Sequence, residues 1–152
     1  SQSWGNDNFA ALARRMLELY NAKVYIFAGP DEKDIVSYIV SRAGDKNVRA
    51  FFPDTQGLVS LIAGCDLLIC NNSGPLHVAA AEGVPTVSTM GPTDPVLWWP
   101  QGENNIVIRK SLKCSPCGRA CCPGHECMNS ISVEEMEKAV SSQIRAIKER
   151  TA

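Results

Sequence analysis

Three short polar segments hold the residue types and spacings that could do chemistry: Gly29-Pro30-Asp31-Glu32, Asn71-Asn72-Ser73-Gly74-Pro75-Leu76-His77 and Gly91-Pro92-Thr93-Asp94-Pro95. The middle one is the most informative. Gly74 admits a ligand close to the backbone, and a helix starting there presents unpaired N–H groups and the positive end of its dipole, which suits a phosphate or diphosphate. Asn72 and Ser73 add short hydrogen-bonding side chains, and His77 lies one turn into the same helix. The plainer alternative is that Ser73 only caps the helix and His77 is a satisfied core histidine. Thr93 and Asp94 can line a site or do no more than make a turn, since Gly, Pro and Asp dominate turns for conformational reasons. Asp31 and Glu32 can meet ribose hydroxyls, or can be ordinary first-turn acids answering the helix dipole.

Two further groups of residues carry chemical potential. Trp98 and Trp99 can stack on a base or sugar, but two adjacent indoles more often cover a core edge or an interface, and that is the reading favoured here. Five of the seven cysteines crowd into Cys114, Cys117, Cys121, Cys122 and Cys127, with His125 beside them. A Cys-x2-Cys pair with two more thiols can hold zinc tetrahedrally, yet the second pair lacks the tight spacing of a zinc ribbon. A structural cluster of free or disulfide-forming thiols is the favoured reading, set away from the strand-end motifs. No metal ligand is assigned, and a catalytic thiol is the least favoured role.

These motifs need elements to position them, and the apolar pattern supplies them. Asn6 or Asp7 can cap a helix with Phe9, Leu12, Ala13, Met16 and Tyr20 on one face, and Asn21 can end it. Val24 to Ala28 reads as a strand, followed by a helix reaching roughly to Gly44. Val48 to Phe52 is a second strand, and Thr55 then caps a helix bearing Leu58, Leu61, Ile62 and Cys65. Leu67 to Cys70 is a third strand, followed by a helix of small residues to Gly83 and a fourth strand at Thr86 to Met90. Continuous apolar strands alternating with helices predict an α/β fold: a Rossmann-like parallel sheet with helices on both faces. In such a sheet ligands bind beyond the carboxyl ends of the strands, where all three polar segments fall. Residues 103–131 read as one more strand, Asn105 to Arg109, plus a cysteine-rich excursion. Ser132 and Glu135 make a capping box that opens a final helix over 132–150.

The length of 152 residues and a hydrophobic content of 45% fit one domain with an ample core. A net charge of −1, from 15 basic and 16 acidic residues spread along the chain, leaves no footprint for nucleic acid. No apolar run approaches the ~20 residues that span a bilayer. The start, Ser1-Gln2-Ser3-Trp4-Gly5, lacks the pattern of an export signal, so the expected location is cytoplasmic, at most on the inner face of the bacterial inner membrane.

Taken together, the run from Cys65 through Asn72-Ser73-Gly74-Pro75-Leu76-His77 to Pro85, followed by Met90-Gly91-Pro92-Thr93-Asp94-Pro95, a Trp and Pro100, resembles glycosyltransferase family 9, the ADP-heptose:lipopolysaccharide heptosyltransferases and relatives. The resemblance covers essentially the whole chain, the Cys127-Met128 before the final helix included. It implies the C-terminal, donor-binding half of a GT-B enzyme. Ser73, Gly74 and His77 would contact the donor's diphosphate and sugar, Thr93 and Asp94 would line the cleft, and Asp31 or Glu32 would meet the ribose. It further implies inverting transfer without a metal or other cofactor, with the nucleotide sugar as substrate and the base on an N-terminal acceptor domain outside this chain.

Two departures qualify the resemblance. Asn72 stands where the family usually has Asp, keeping hydrogen bonding but losing the charge. The family's phosphate-binding hydroxyls and Lys would precede Ser3-Trp4, so weak donor binding is expected, and with the base and acceptor site on another domain this chain alone is expected to be inactive. Rival readings are another GT-B-like enzyme fragment, such as a nucleotide-sugar epimerase, and a non-catalytic metal-binding or interaction module built on the cysteines.

Overall fold

In a computed structural model, residues 3–119 and 121–151 are described, the side chains of Pro30 and Thr151 excepted; Ser1 and Gln2 of the N-terminal reading lie outside them. The chain divides into two compact units, Gly5–Leu58 and Ser1–Trp4 with Val59–Ala152.

In the first unit, α1 (Asn6–Tyr20) and α2 (Lys33–Ala43) accompany the parallel strands β1 (Val24–Phe27) and β2 (Val48–Phe51), paired Val24 to Val48 through Phe27 to Phe51. Helix α1 ends where expected, because Asn21 takes the left-handed conformation (φ 48°) and its N–H returns to the Leu17 carbonyl. Its start differs: Gly5, not Asn6 or Asp7, is the N-cap, with no side-chain cap bond. Ala13, Ala43 and Val48 form a buried cluster against Leu17, Val24, Ile26 and Val40. Helix α3 (Thr55–Ala63) is capped by Asp54, whose Oδ1 accepts from the Gly57 N–H at 2.8 Å, so the cap lies one residue before the expected Thr55.

The second unit holds a parallel sheet in the order β3 (Leu68–Asn71), β4 (Thr86–Met90), β5 (Asn105–Arg109). Helix α4 (Gly74–Ala81) crosses from β3 to β4, so the two strands are adjacent and parallel, with Asn71 opposite Thr89. The expected burial on both faces holds in full only for β4, the central strand of its sheet, all five residues of which are buried. The other strands keep partly exposed positions. Polar residues on β4 are tolerated because most find partners: Thr86 Oγ1 donates to Asn105 Oδ1 at 2.7 Å and Thr89 Oγ1 to Asn71 Oδ1 at 3.1 Å. Two short helices, α5 (Pro95–Trp98) and α6 (Glu126–Asn129), occupy stretches read as loop, since four residues are too few to show a helical period. Among the described residues no helix is long and apolar enough to cross a membrane.

The last helix, α7 (Val133–Thr151), opens with the predicted capping box: the Glu135 N–H donates to Ser132 Oγ at 3.2 Å, and the Ser132 N–H donates to Glu135 Oε2 at 2.9 Å. The Lys110 ammonium also bonds Glu135, which holds that carboxyl below its ordinary value of 4.5. A depressed carboxyl pKa adds stability above the unfolded value, and this is lost as pH falls through the folded one. Ser132→Ala should therefore cost about 1 kcal/mol. Glu135→Gln should remove only the part of the stability that titrates below pH 4.5, measured by urea unfolding at pH 7 and at pH 3.5; equal losses at both pH values would contradict this.

Candidate functional site

The site is built by strand adjacency. Because β3 and β4 are parallel neighbours, their carboxyl ends emerge side by side, and the Asn72 N–H continues the ladder to the Thr89 carbonyl at 2.9 Å. The segments after the two strands line one cleft of about 940 Å³ in the second unit. Asn72, Ser73, Gly74, His77, Thr93 and Asp94 all border it, as the sequence anticipates. Pro75 sits in the first turn of α4 and is not in the cleft wall. Asp31 and Glu32 belong to the other unit, in a one-turn 3-10 helix (Pro30–Glu32), where Glu32 Oε2 accepts from the Gly29 N–H at 2.9 Å. For Glu32 the ordinary first-turn role thus accounts for the carboxylate.

Both plain readings of the central motif fail on geometry. Ser73 is the N-cap residue of α4, but its hydroxyl makes no bond to the helix; it reaches only the Asn71 carbonyl, at 3.4 Å. The hydroxyl is left facing other work. His77 is not a satisfied core histidine: its Nε2 is shielded from water and has no hydrogen-bond partner, and Thr93 Oγ1 is in the same condition. A polar atom that is buried and unpaired costs about 1–3 kcal/mol, so two of them along one cleft mark a place where a ligand's oxygens would be welcome.

The helix end is narrower than the sequence suggests. Pro75 has no N–H, and the Leu76 N–H is taken by the Ser73 carbonyl at 3.0 Å. The remaining donors of that segment are the N–H groups of Ser73 and Gly74. A Cβ built on Gly74 would meet nothing within 4 Å, so nothing in the protein requires glycine there for space.

Asn72 and Asp94 serve the scaffold rather than facing a ligand freely. Asn72 is buried and its Nδ2 donates to the Trp98 carbonyl at 3.0 Å. Asp94 caps α5, with Oδ1 accepting from the Val96 N–H at 2.8 Å. Of the favoured reading of the tryptophans as core or interface cover, the core part is corrected, since both indoles are exposed. Trp98 is 50% exposed, lines the cleft, and lies 6.1 Å from His77 between ring centroids at a tilt of 53°. Trp99 is also exposed but is not in the cleft wall.

The cysteine-rich excursion is likewise corrected. It was expected away from the strand-end motifs, yet it lies across them. Ser115 Oγ donates to the Gly91 carbonyl at 2.8 Å, and the N–H groups of Cys117 and Gly118 both donate to the Pro92 carbonyl, at 3.0 and 2.8 Å. The physical reason is that carbonyls past the end of β4 have left the ladder and still need donors. Consequently Pro116, Cys117, Gly118 and Arg119 form part of the cleft wall, and Arg119 brings a guanidinium that no motif in the sequence announced. A positive charge in an otherwise irregular cysteine-rich stretch is the only sequence signal for it.

Below this wall the packing is tight: a Cβ on Gly91 would come within 2.5 Å of Met128 Sδ and 3.1 Å of Cys127 Sγ. Burial, and then the neighbouring Cys117, push the Cys127 thiol up, while the half-buried Cys70 of β3 is pushed up to about 12 by desolvation of its thiol. Neither is an activated nucleophile. Cys114, Cys117, Cys121 and Cys122 are exposed, and among the described residues no three potential ligands converge on a metal position.

The cleft's composition agrees with the comparisons. The family model described as glycosyltransferase family 9 (heptosyltransferase) matches residues 1–127. Lipooligosaccharide heptosyltransferase 2 of Campylobacter jejuni is 29% identical over 143 residues, 90% of this chain and 44% of that protein. The crystal structure of the glycosyl transferase family 9 from Veillonella parvula aligns with a TM-score of 0.80 at 26% identity, over 95% of this chain and 42% of that one. The E. coli ADP-heptose lps heptosyltransferase II aligns with a TM-score of 0.79 at 22% identity, over 99% of this chain and 44% of that one. The fold is thus the Rossmann-like α/β fold anticipated, and the chain spans less than half the length of these proteins.

Proposed function

The chain belongs to glycosyltransferase family 9, and from that membership we propose that it is the donor-binding part of an inverting glycosyltransferase that builds lipopolysaccharide or another cell-surface glycan, with a nucleotide sugar resembling ADP-heptose as donor. The observation that carries this reading is that two polar atoms without partners, His77 Nε2 and Thr93 Oγ1, belong to the wall of one cleft, beside the exposed Ser73 hydroxyl that does not cap its helix. With the N–H groups of Ser73 and Gly74 they suit the many acceptor oxygens of a diphosphate, and Arg119 adds a charge of the right sign.

In the reaction, an acceptor hydroxyl oxygen forms a bond to the anomeric carbon as the bond from that carbon to the diphosphate oxygen breaks. The hydroxyl proton passes to a carboxylate on a further domain, and the electron pair leaves with the diphosphate. This chain's part is to hold the donor and to stabilise charge on the departing diphosphate with donors already in place. Among the described residues the carboxylate bordering the cleft is Asp94, and its Oδ1 is engaged in capping α5, which is why this reading places the base on the further domain. This reading assigns no metal or organic cofactor to that part.

The chain by itself should bind ADP weakly, with a dissociation constant on the order of 1 mM, equivalent to about 4 kcal/mol. It should transfer no sugar, since positioning of the acceptor and removal of its proton supply much of the rate. NMR titration with ADP should move the resonances of Ser73, Gly74 and His77; unmoved resonances at several millimolar ADP would remove the donor site from this cleft. Sugar transfer to an acceptor by this chain alone would overturn its assignment as the donor part only.

A further inference from the structure

Trp98 is large, apolar and half exposed, yet its backbone is held at both ends of a one-turn helix. At the start of α5 the Asp94 side chain caps Val96, and the Trp98 N–H donates to the Asp94 carbonyl at 3.0 Å. At the end of α5 the Trp98 carbonyl accepts from Asn72 Nδ2, which is 3% exposed and sits at the end of β3. An aromatic side chain on a backbone held at both ends is an anchor that loses little backbone freedom on binding.

Its position limits what can lie on it. The ring is 6.1 Å from that of His77, which lies three residues after Gly74, an axial rise of about 4.5 Å along the helix. Trp98 and His77 therefore border the same cleft as Ser73 and Gly74, where the diphosphate would be seated. A base is separated from the diphosphate by a whole ribose, whereas the transferred sugar is bonded to it directly.

Resting on the donor-site reading above, we infer that Trp98 is the platform for the transferred sugar of the donor, packing its indole against an apolar face of the pyranose, and that Asn72 is a positioning residue that sets the indole through the Trp98 carbonyl. Asn72 suits this role because a carboxylate there could not donate to a carbonyl, whereas an amide can. The residue that departs from the family's usual acid thus has a definite partner.

The test compares ADP with ADP-heptose by calorimetry on the full chain. Trp98→Ala should reduce the preference for ADP-heptose over ADP about tenfold, the loss expected for one aromatic contact of about 1.4 kcal/mol. Trp98→Phe should recover most of it. Asn72→Ala should reduce the same preference roughly threefold, as for one neutral hydrogen bond, and in a Trp99→Phe background it should weaken the quenching of Trp98 fluorescence by ADP-heptose. Equal losses for both ligands in Trp98→Ala would place the ribose or base on the indole and overturn the assignment, as would no loss for either. An Asn72→Ala variant with unaltered quenching would overturn the positioning role alone. If the unaltered chain binds ADP but shows no preference for ADP-heptose, the platform fails while the donor site stands. If it binds neither, both fail.

Discussion

Trp4→Ala is expected to cost about 3–5 kcal/mol of stability, a large part of the 5–15 kcal/mol that holds a typical domain. Trp4 is 1% exposed, the largest of the fully buried side chains, and belongs to the unit that carries the cleft. Its indole Nε1–H donates to the Ile131 carbonyl at 2.7 Å, and its backbone N–H donates to Asn71 Oδ1 at 3.0 Å. The first bond ties the start of the chain to the turn before α7, and the second ties it to the end of β3. Alanine would leave a cavity and an unpaired buried carbonyl at Ile131. Trp4→Phe, which fills most of the volume but lacks the N–H, separates the two losses and should cost about 1–3 kcal/mol. Urea unfolding monitored by circular dichroism reads both variants. A loss below about 1 kcal/mol for Trp4→Ala would mean that the indole is not part of the core.

The second large effect is on binding, without a matching effect on folding. Gly74→Val should leave the unfolding midpoint almost unaltered, because its Cβ would enter open space. ADP binding should nevertheless fall roughly 10- to 100-fold, the equivalent of losing one charge-assisted hydrogen bond of about 1.5–3 kcal/mol. The added methyl groups would stand before the Ser73 and Gly74 N–H groups and hold a phosphate away from them. Calorimetry alongside thermal unfolding makes the comparison. Unchanged affinity in Gly74→Val would show that the ligand does not approach this backbone, and a strong fall in stability would show that glycine is needed for the fold instead.

The two variants separate what different parts of the sequence are for. Trp4 is a packing residue whose neighbours lie far along the chain. Gly74 is a small residue whose value lies in the space before it. Composition alone distinguishes neither from the other tryptophans and glycines.

Much of the fold was legible because the signals are local. The periodic faces of α1 and α7, the left-handed stop at Asn21 and the capping box of Ser132 and Glu135 depend on residues within about four positions of one another. So did the pairing of motifs: a short α4 between two apolar strands makes β3 and β4 parallel neighbours, and the polar residues after both must then share one edge. That places Asn72, Ser73, Gly74, His77, Thr93 and Asp94 together without any knowledge of side-chain contacts. The family could be read from the same motifs, since they lie in one continuous stretch from Cys65 to Pro100.

The sequence by itself therefore determined the α/β class, the order of the strands and longer helices, and the strand-end motifs that border one cleft. Tertiary structure decided what each residue there does. Asn72 meets the Trp98 carbonyl across 26 residues, Ser115 meets the Gly91 carbonyl across 24, and Trp4 meets the Ile131 carbonyl across 127. No periodicity or propensity encodes such pairings, because they arise when the packed chain brings a donor to a carbonyl that the end of a strand or helix has left without one. The same demand draws the cysteine-rich strap over Pro92, puts Arg119 in the cleft wall and leaves the indole of Trp98 open beside His77.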